Sequence, residues 1–368
     1  MKLQPLPKLQ PITKLSPTMF TSLKQCQLRA GLRNARAQQT TRSSTAALLG
    51  TIVHRVLENA RFLNRNDKGL RTQAEKMWED TVGEVEKQLR TSPLDEFLLP
   101  ISRWKKYNLL RERTIRRCKE IASGHVISEN QVVASERKFD SIKYGFTGKP
   151  DLILRREKGL VIIDYKSGEL PDDPENREEK IALWQQQVLF YAAIIKEELG
   201  EWPVDGEIRL LNNEVIHIHI DQQKSKALTQ EIQAVKANYN DKIAAGVSHS
   251  ELAQYSEDNC VFCEYKGTCN TFWQNNPQPI PGTDKYGCLI GKVKNVTTTE
   301  RGNGRLVIDS ESTNEASQQW EIINLLIKQF ENLKELKQGD FARLIDFLID
   351  SESCQAKPIQ TSVIWKVP

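Results

Sequence analysis

Leu160–Ile163 is an unbroken apolar run, three of whose four residues are β-branched, and it ends on Asp164. Such a run without polar alternation predicts a strand covered on both faces. Asp151–Arg155 stands before it with Arg156–Gly159 between, the signature of an antiparallel hairpin. Helical periodicity surrounds this pair. Ser16–Arg36 predicts a helix that opens near Ser16-Pro17-Thr18, because proline is accepted in a first turn. Further helices are expected at Gly50–Leu63, Arg71–Arg90, Trp104–Ala122 and Gln222–Ala245, and at Lys180–Leu199 with Gly200 as its cap. Val132–Phe139 reads as a strand and the acidic, Pro-containing Leu170–Glu179 as a loop. Glu207–Leu211 and Val215–Ile220 read as a hairpin across Asn212–Glu214. Residues 1–15 read as an extended, Pro-rich leader. Helices before and after a mixed sheet predict an α/β core of about 270 residues.

The pattern changes after Pro277–Gly287, whose sequence PQPIPGTDKYG has the composition of a linker. Leu289–Val296, Arg305–Asp309, Trp320–Leu325, Phe341–Ile349 and Ser362–Val367 predict five short strands. A helix-like piece, Leu326–Leu336, falls between the third and fourth, and Gly339–Asp340 makes a turn. This order fits a small OB-like β-barrel, with an SH3-like barrel as its competitor. The expected division is therefore a leader over 1–15, an α/β domain over 16–276, a linker over 277–287 and a barrel over 288–368.

Composition adds little until its distribution is read. The 368 residues carry 52 Lys/Arg against 48 Asp/Glu, a formal charge of +4. Residues 1–50 nevertheless hold eight basic residues and no acid: Lys2, Lys8, Lys14, Lys24, Arg29, Arg33, Arg36 and Arg42. Arg103–Lys119 is a second basic cluster. Clusters of this kind attract phosphate backbones, and solvated helix faces are the plain alternative. No apolar stretch is long enough for a bilayer and no signal-peptide core follows Met1. A soluble, cytoplasmic protein without a membrane partner is expected, although the basic, Ser/Thr-containing leader is also compatible with an organellar transit peptide.

The charged residues of the hairpin carry the first candidate chemistry. Gly148–Lys166 reads GKPDLILRREKGLVIIDYK. Asp164 and Lys166 share one strand face at i and i+2, and the hairpin brings Asp151 towards them. Two hard oxygen ligands suit Mg²⁺ or Mn²⁺. A neighbouring lysine orients or deprotonates water and offsets phosphate charge. The pattern points to metal-dependent phosphodiester hydrolysis; a solvated surface hairpin is the alternative.

The cysteines carry the second. There are seven, Cys26, Cys118, Cys260, Cys263, Cys269, Cys288 and Cys354, and an odd number without a secretory leader argues against a disulfide scaffold. Three lie in CVFCEYKGTC with C-x2-C-x5-C spacing and are expected to share one soft metal centre. A fourth thiolate is available from Cys26, Cys118, Cys288 or Cys354, local spacing favouring Cys288. Spacing alone does not separate zinc from iron–sulfur. No Walker A motif is present, so no helicase motor is encoded in these residues.

Taken in order, these elements resemble the PD-(D/E)XK nuclease superfamily in its RecB-like branch with an iron–sulfur cluster, which includes AddB-type nuclease domains and CRISPR-associated adaptation nucleases. The resemblance rests on SPTMFTSLKQCQLR with Cys26, GTIVHRVLE with His54, Gly148–Asp151, Asp164–Tyr165–Lys166, QVLFY with Gln187 and Tyr191, and the cysteine cluster. It spans most of residues 16–273. It implies a restriction-endonuclease-like α/β core with flanking helices. It implies metal ligation by His54, Asp151, Asp164 and the Tyr165 carbonyl. Lys166 would position or activate the attacking water, with Gln187 and Tyr191 orienting it or touching the scissile strand, and Glu136 would be a supporting acid. It also selects Cys26, with Cys260, Cys263 and Cys269, as ligands of a [4Fe–4S] cluster. Gln27 stands where many relatives have proline, which keeps Cys288 in reserve. The implied activity is a Mg²⁺- or Mn²⁺-dependent DNA nuclease, an exonuclease on single strands or ends. The alternative is a catalytically silent DNA-binding or scaffold subunit of a repair or defence complex. The barrel lies outside the resemblance. Its aromatics, Trp320, Phe341, Phe347 and Trp365, suit either a core or a base-stacking platform, and it could instead dock a protein partner.

Overall fold

The structure, a computed structural model, describes residues 2–63, 69–122, 131–274, 279–281, 286–310 and 318–367. Most of the expected linker lies outside the described residues.

Four strands of the α/β part, those expected at 151–155, 160–164, 207–211 and 215–220, form close to their expected bounds. β1 (Val132–Ser135) is short, β2 (Phe139–Ser141) and β3 (Phe146–Gly148) pair with each other, and β4 (Leu152–Arg156) precedes β5 (Gly159–Lys166). β4 and β5 are antiparallel, with Leu152 opposite Ile163 and Arg156 opposite Gly159. Gly159 closes this turn at φ +133°, a conformation that only glycine adopts without strain. β6 (Asp205–Leu210) lies parallel to β5, and β7 (Val215–His219) is antiparallel to β6, giving the order β1-β4-β5-β6-β7.

Two helical layers cover this sheet, which explains the unbroken apolar run of β5. Leu160 and Ile162 enter one core, shared with α1 (Pro17–Gln25), α6 (Pro174–Leu199) and α7 (Gln222–Ala244). Val161, Ile163 and Tyr165 enter the other, shared with α3 (Thr45–Asn59), α4 (Leu70–Arg90) and α5 (Tyr107–Ala122). Because side chains alternate along a strand, Asp164 and Lys166 continue the first face. They meet α6 at the C-terminal end of β5. α6 is the crossover that a parallel β5–β6 pair requires.

Several boundaries depart from the sequence reading. α6 starts at Pro174 and takes up six residues of the expected 170–179 loop. Asp173 accepts the Asn176 N–H as its cap, and proline occupies the first turn. The single helix expected over 16–36 is broken into α1 and α2 (Gln27–Asn34). Cys26 is extended between them, and its Sγ accepts the Arg29 N–H at 3.5 Å. The strand expected over 132–139 stops at Glu136, which has φ +51° and donates its N–H to the Asp151 carbonyl. The leader is extended, as expected, but not free. Leu3, Leu9, Ile12 and Leu15 are buried, Leu15 bridges Phe146 and Lys2 bridges Lys366.

The C-terminal residues form a closed five-stranded barrel. β8 (Ile280–Pro281) edges β9 (Tyr286–Thr298), followed by β10 (Asn303–Ser310), β11 (Gln318–Leu326), β12 (Phe341–Asp350) and β13 (Gln355–Lys366). The order is β10-β11-β13-β12-β9, and β9 also pairs with β10 to close it. The expected helix at 326–336 is only a 3-10 turn at Glu331–Glu335, and β13 starts at Gln355 instead of Ser362. Trp320, Phe347 and Trp365 are fully buried, which excludes them as a stacking platform; only Phe341 is exposed.

Nor does the barrel stand apart from the α/β part. Val363 and Trp365 share a core with Leu3, Phe272 and Trp273. Trp365 Nε1 donates to the Thr40 carbonyl at 2.8 Å, and Arg343 donates to the Gly267 carbonyl at 2.8 Å. No helix among the described residues is long and apolar enough to cross a membrane.

Candidate active site

Polar residues from five segments converge at the end of the β4–β5 hairpin. Asp151 sits one residue before β4, across from Asp164 in the extended register. Its Oδ2 accepts the Tyr165 N–H at 2.6 Å, and its Oδ1 lies 3.5 Å from His54 Nδ1 on α3. Glu136 approaches from the break after β1. Ligand atoms of His54, Glu136 and Asp151 all lie within 4.8 Å of one another. Lys149 caps the group, 2.6 Å from Glu136 and 3.9 Å from Glu58.

A second set lies on the α6 side. Lys166 Nζ is 2.7 Å from Asp164 Oδ2 and donates to Gln187 Oε1 at 2.8 Å. Gln187 Nε2 donates to Asp164 Oδ1 at 3.1 Å and to the Tyr191 hydroxyl at 3.0 Å. Tyr191 in turn donates to the Lys149 carbonyl at 3.4 Å. Gln187 and Tyr191 meet because i and i+4 share a helix face. The amide thus fixes Lys166 and Asp164 together.

Burial sets the electrostatics. Desolvation pushes the Asp164 carboxyl up, against the pull of Lys166 and with the help of Asp151. Burial likewise raises Glu136 despite its bond to Lys149. Burial would lower His54, but the Asp151 carboxylate outweighs it and raises the imidazole above its ordinary 6.5. A buried group of like-charged carboxylates is costly without a cation. His54, Glu136 and Asp151 offer the mixed nitrogen and oxygen donors that a divalent ion accepts.

Of the residues singled out in the sequence, His54, Asp151, Tyr165 and Glu136 line one pocket. Asp164, Lys166, Gln187 and Tyr191 form the adjoining network. Asp164 is spent on Lys166 and Gln187 and is not part of the close donor group. Glu136 is, although in sequence it was only a supporting acid. Its nearest signal was Lys149, in the GKPD segment.

The thiols gather separately. Cys26, Cys260, Cys263 and Cys269 line one pocket. Cys26 Sγ also accepts the Gln254 N–H, and Cys260 Sγ the Ser256 N–H, each at 3.5 Å. Backbone N–H groups of Tyr265 and of Thr271 and Phe272 serve Cys263 and Cys269. Burial pushes the Cys263 thiol up to about 12. Cys288 is buried instead beside Lys266 and Asp346, and Cys118 packs under α3.

Several members of the basic clusters are ion-paired. Arg29 and Arg33 both hold Glu264, Lys24 holds Glu231, and Lys106 and Arg113 both hold Glu169. The plain reading of solvated or paired faces therefore accounts for these members.

No curated protein matches the chain. A crystal structure from Eubacterium rectale, described as "Putative exonuclease", superposes with a TM-score of 0.42 at 13% identity, covering 73% of this chain and 90% of that one. The family profile of the PD-(D/E)XK nuclease superfamily matches residues 14–270. That span holds both strands of the acidic hairpin, α6 and all four gathered cysteines, and the chain belongs to the PD-(D/E)XK nuclease superfamily.

Proposed function

We propose that the protein is a Mg²⁺- or Mn²⁺-dependent DNA nuclease that hydrolyses phosphodiester bonds, acting as an exonuclease on single strands or ends. The observation that carries this reading is the join between two sets. Asp151 belongs to the close donor group with His54 and Glu136, and across the hairpin Asp164 holds Lys166 at 2.7 Å. His54, Glu136 and Asp151 would hold the ion, with Asp164 beside them. When bound, the ion supplies positive charge at the phosphate and lowers the barrier to attack by water. Lys166, locked by Gln187, presents its ammonium to the incoming water and to a phosphate oxygen. Water oxygen bonds to phosphorus as the bond to the leaving sugar oxygen breaks, leaving a phosphate end and a hydroxyl end.

The four gathered cysteines support a [4Fe–4S] cluster of the RecB-like type. Each receives backbone N–H groups, which stabilise thiolates. The strand order of the barrel, in which the first strand pairs with both the second and the fourth, supports the OB-like reading.

Digestion of end-labelled linear DNA and of circular DNA, with Mg²⁺ or Mn²⁺ and with EDTA, tests the activity. Metal-dependent loss of linear strands with circles spared is expected. No cleavage under any condition would leave the silent DNA-binding subunit. Anaerobically purified protein should contain about four irons per chain; stoichiometric zinc without iron would reject the cluster.

A further inference from the structure

The pocket that holds the carboxylates has a second, apolar side that metal binding does not use. Leu57, Ile121, Val132 and Leu152 form that wall. His54, Glu136 and Asp151 line the same cavity. The cavity measures about 480 Å³, within the range that accepts a small organic ligand. At its rim Phe62 is 71% exposed, with the Arg61 guanidinium 4.7 Å from the ring centroid. Val132 is also partly open to solvent.

A nucleotide has the same two-sided chemistry, a flat and weakly polar base joined to an anionic phosphate. The face of a base is free to meet a protein ring only when the base is unstacked from its own strand. Arg61 adds positive charge beside the ring, which favours both a π face and a phosphate. We propose that this pocket seats one unpaired nucleotide next to the scissile phosphate, its base stacked on Phe62 and against the wall of Leu57, Val132 and Leu152. The proposal rests on the nuclease reading and deepens it. Selection for single-stranded substrate then comes from an aromatic platform at the rim of the active-site pocket, not from the barrel, whose tryptophans are buried.

The test uses the full-length protein and single-stranded oligonucleotides carrying one abasic site, moved stepwise past the cleaved bond. For the wild type, one position should lower kcat/KM about 5- to 100-fold, the measured worth of a base–aromatic stack. Phe62→Ala should show the same loss on the intact strand and no added loss at that abasic position. Phe62→Trp should restore the discrimination. The ring is exposed, so these variants should keep the wild-type melting temperature. Equal cleavage of abasic and intact strands by the wild type would overturn the proposal, as would losses from Phe62→Ala and the abasic site that multiply. Binding of an oligonucleotide with 2-aminopurine at the same position, in EDTA, reads stacking without cleavage. Quenching that Phe62→Ala abolishes supports the platform even if no DNA is cut, in which case the nuclease reading alone has failed. Quenching unchanged by Phe62→Ala overturns the platform.

Discussion

At the scale of single residues, the site depends on which groups hold protons and which hold one another. Lys166 has two fixed partners, Asp164 and Gln187, so its ammonium is aimed before substrate arrives. Lys166→Ala should lower the cleavage rate by about 10²- to 10³-fold, the usual loss for one preorganised donor at a transition state. Asp164→Ala should do the same, with DNA affinity largely kept, because affinity for nucleic acid rests chiefly on cations meeting phosphates and not on a carboxylate. Single-turnover rates and a binding isotherm separate the two effects, and unimpaired cutting by Asp164→Ala would reject the assignment. His54 supplies a pH signature. Its folded pKa is raised above 6.5, so in metal-free protein its pairing with Asp151 stabilises below about pH 6.5 and fades as pH rises through the folded value. A divalent ion needs the neutral imidazole, so it competes with that proton. The rise in Tm caused by Mn²⁺ should therefore grow as pH passes upward through this window. His54→Ala should flatten the dependence, measured by thermal melts across pH.

At the scale of elements, the site is set by how α6 lies on the sheet. Gly206 of β6 is where that contact is tightest. A Cβ there would fall 2.5 Å from Val188 Cγ1 on α6, and Val188 is itself fully buried. β6 is held in place by pairing on both sides. Gly206→Ala should destabilise by about 1–3 kcal/mol, the cost of overpacking a closed core. Denaturant titration reads this directly. Because Gln187 lies on the same helix, one residue before Val188, any shift of α6 should also lower the rate. A Gly206→Ala protein with wild-type stability would show that the two layers are looser than the structure has them.

At the scale of the whole molecule, two ends of the chain meet at the cysteine loop. Arg29 and Arg33 reach Glu264 from α2, Thr40 hydrogen-bonds both Glu264 and Gly267, Arg343 and Asp346 reach the same loop from the barrel, and Trp365 donates to the Thr40 carbonyl. The sequence suggested a barrel set apart by a linker. The shared core of Leu3, Phe272, Trp273 and Trp365 argues otherwise. Deletion of 286–368 should uncover Phe272 and Trp273, lower soluble yield and loosen whatever the four cysteines hold. Soluble expression and metal content of the truncated chain check this; a soluble fragment with wild-type metal content would restore the independent barrel.

The sequence by itself determined what local patterns can encode. A β-branched run covered on both sides, an i, i+2 pair of Asp164 and Lys166, an i, i+4 pair of Gln187 and Tyr191, and the helical periods of α3 to α7 all follow from the geometry of one element at a time. The strand content of the barrel was legible for the same reason. What the tertiary structure decided are the meetings between elements. Glu136 enters the donor group because its backbone turns to φ +51° and bonds the Asp151 carbonyl, a conformation no local propensity demands. Cys26 rather than Cys288 lies with the cysteine trio because α1 and α2 break around it and pack beside the loop, so local spacing misled. Phe62 gained its place only when the turn after α3 brought it to the rim of a pocket lined by β1, β4 and α5. Chain proximity fixes side-chain direction, but burial and long-range packing decide which charges share a cavity, and that is information no window of neighbouring residues contains.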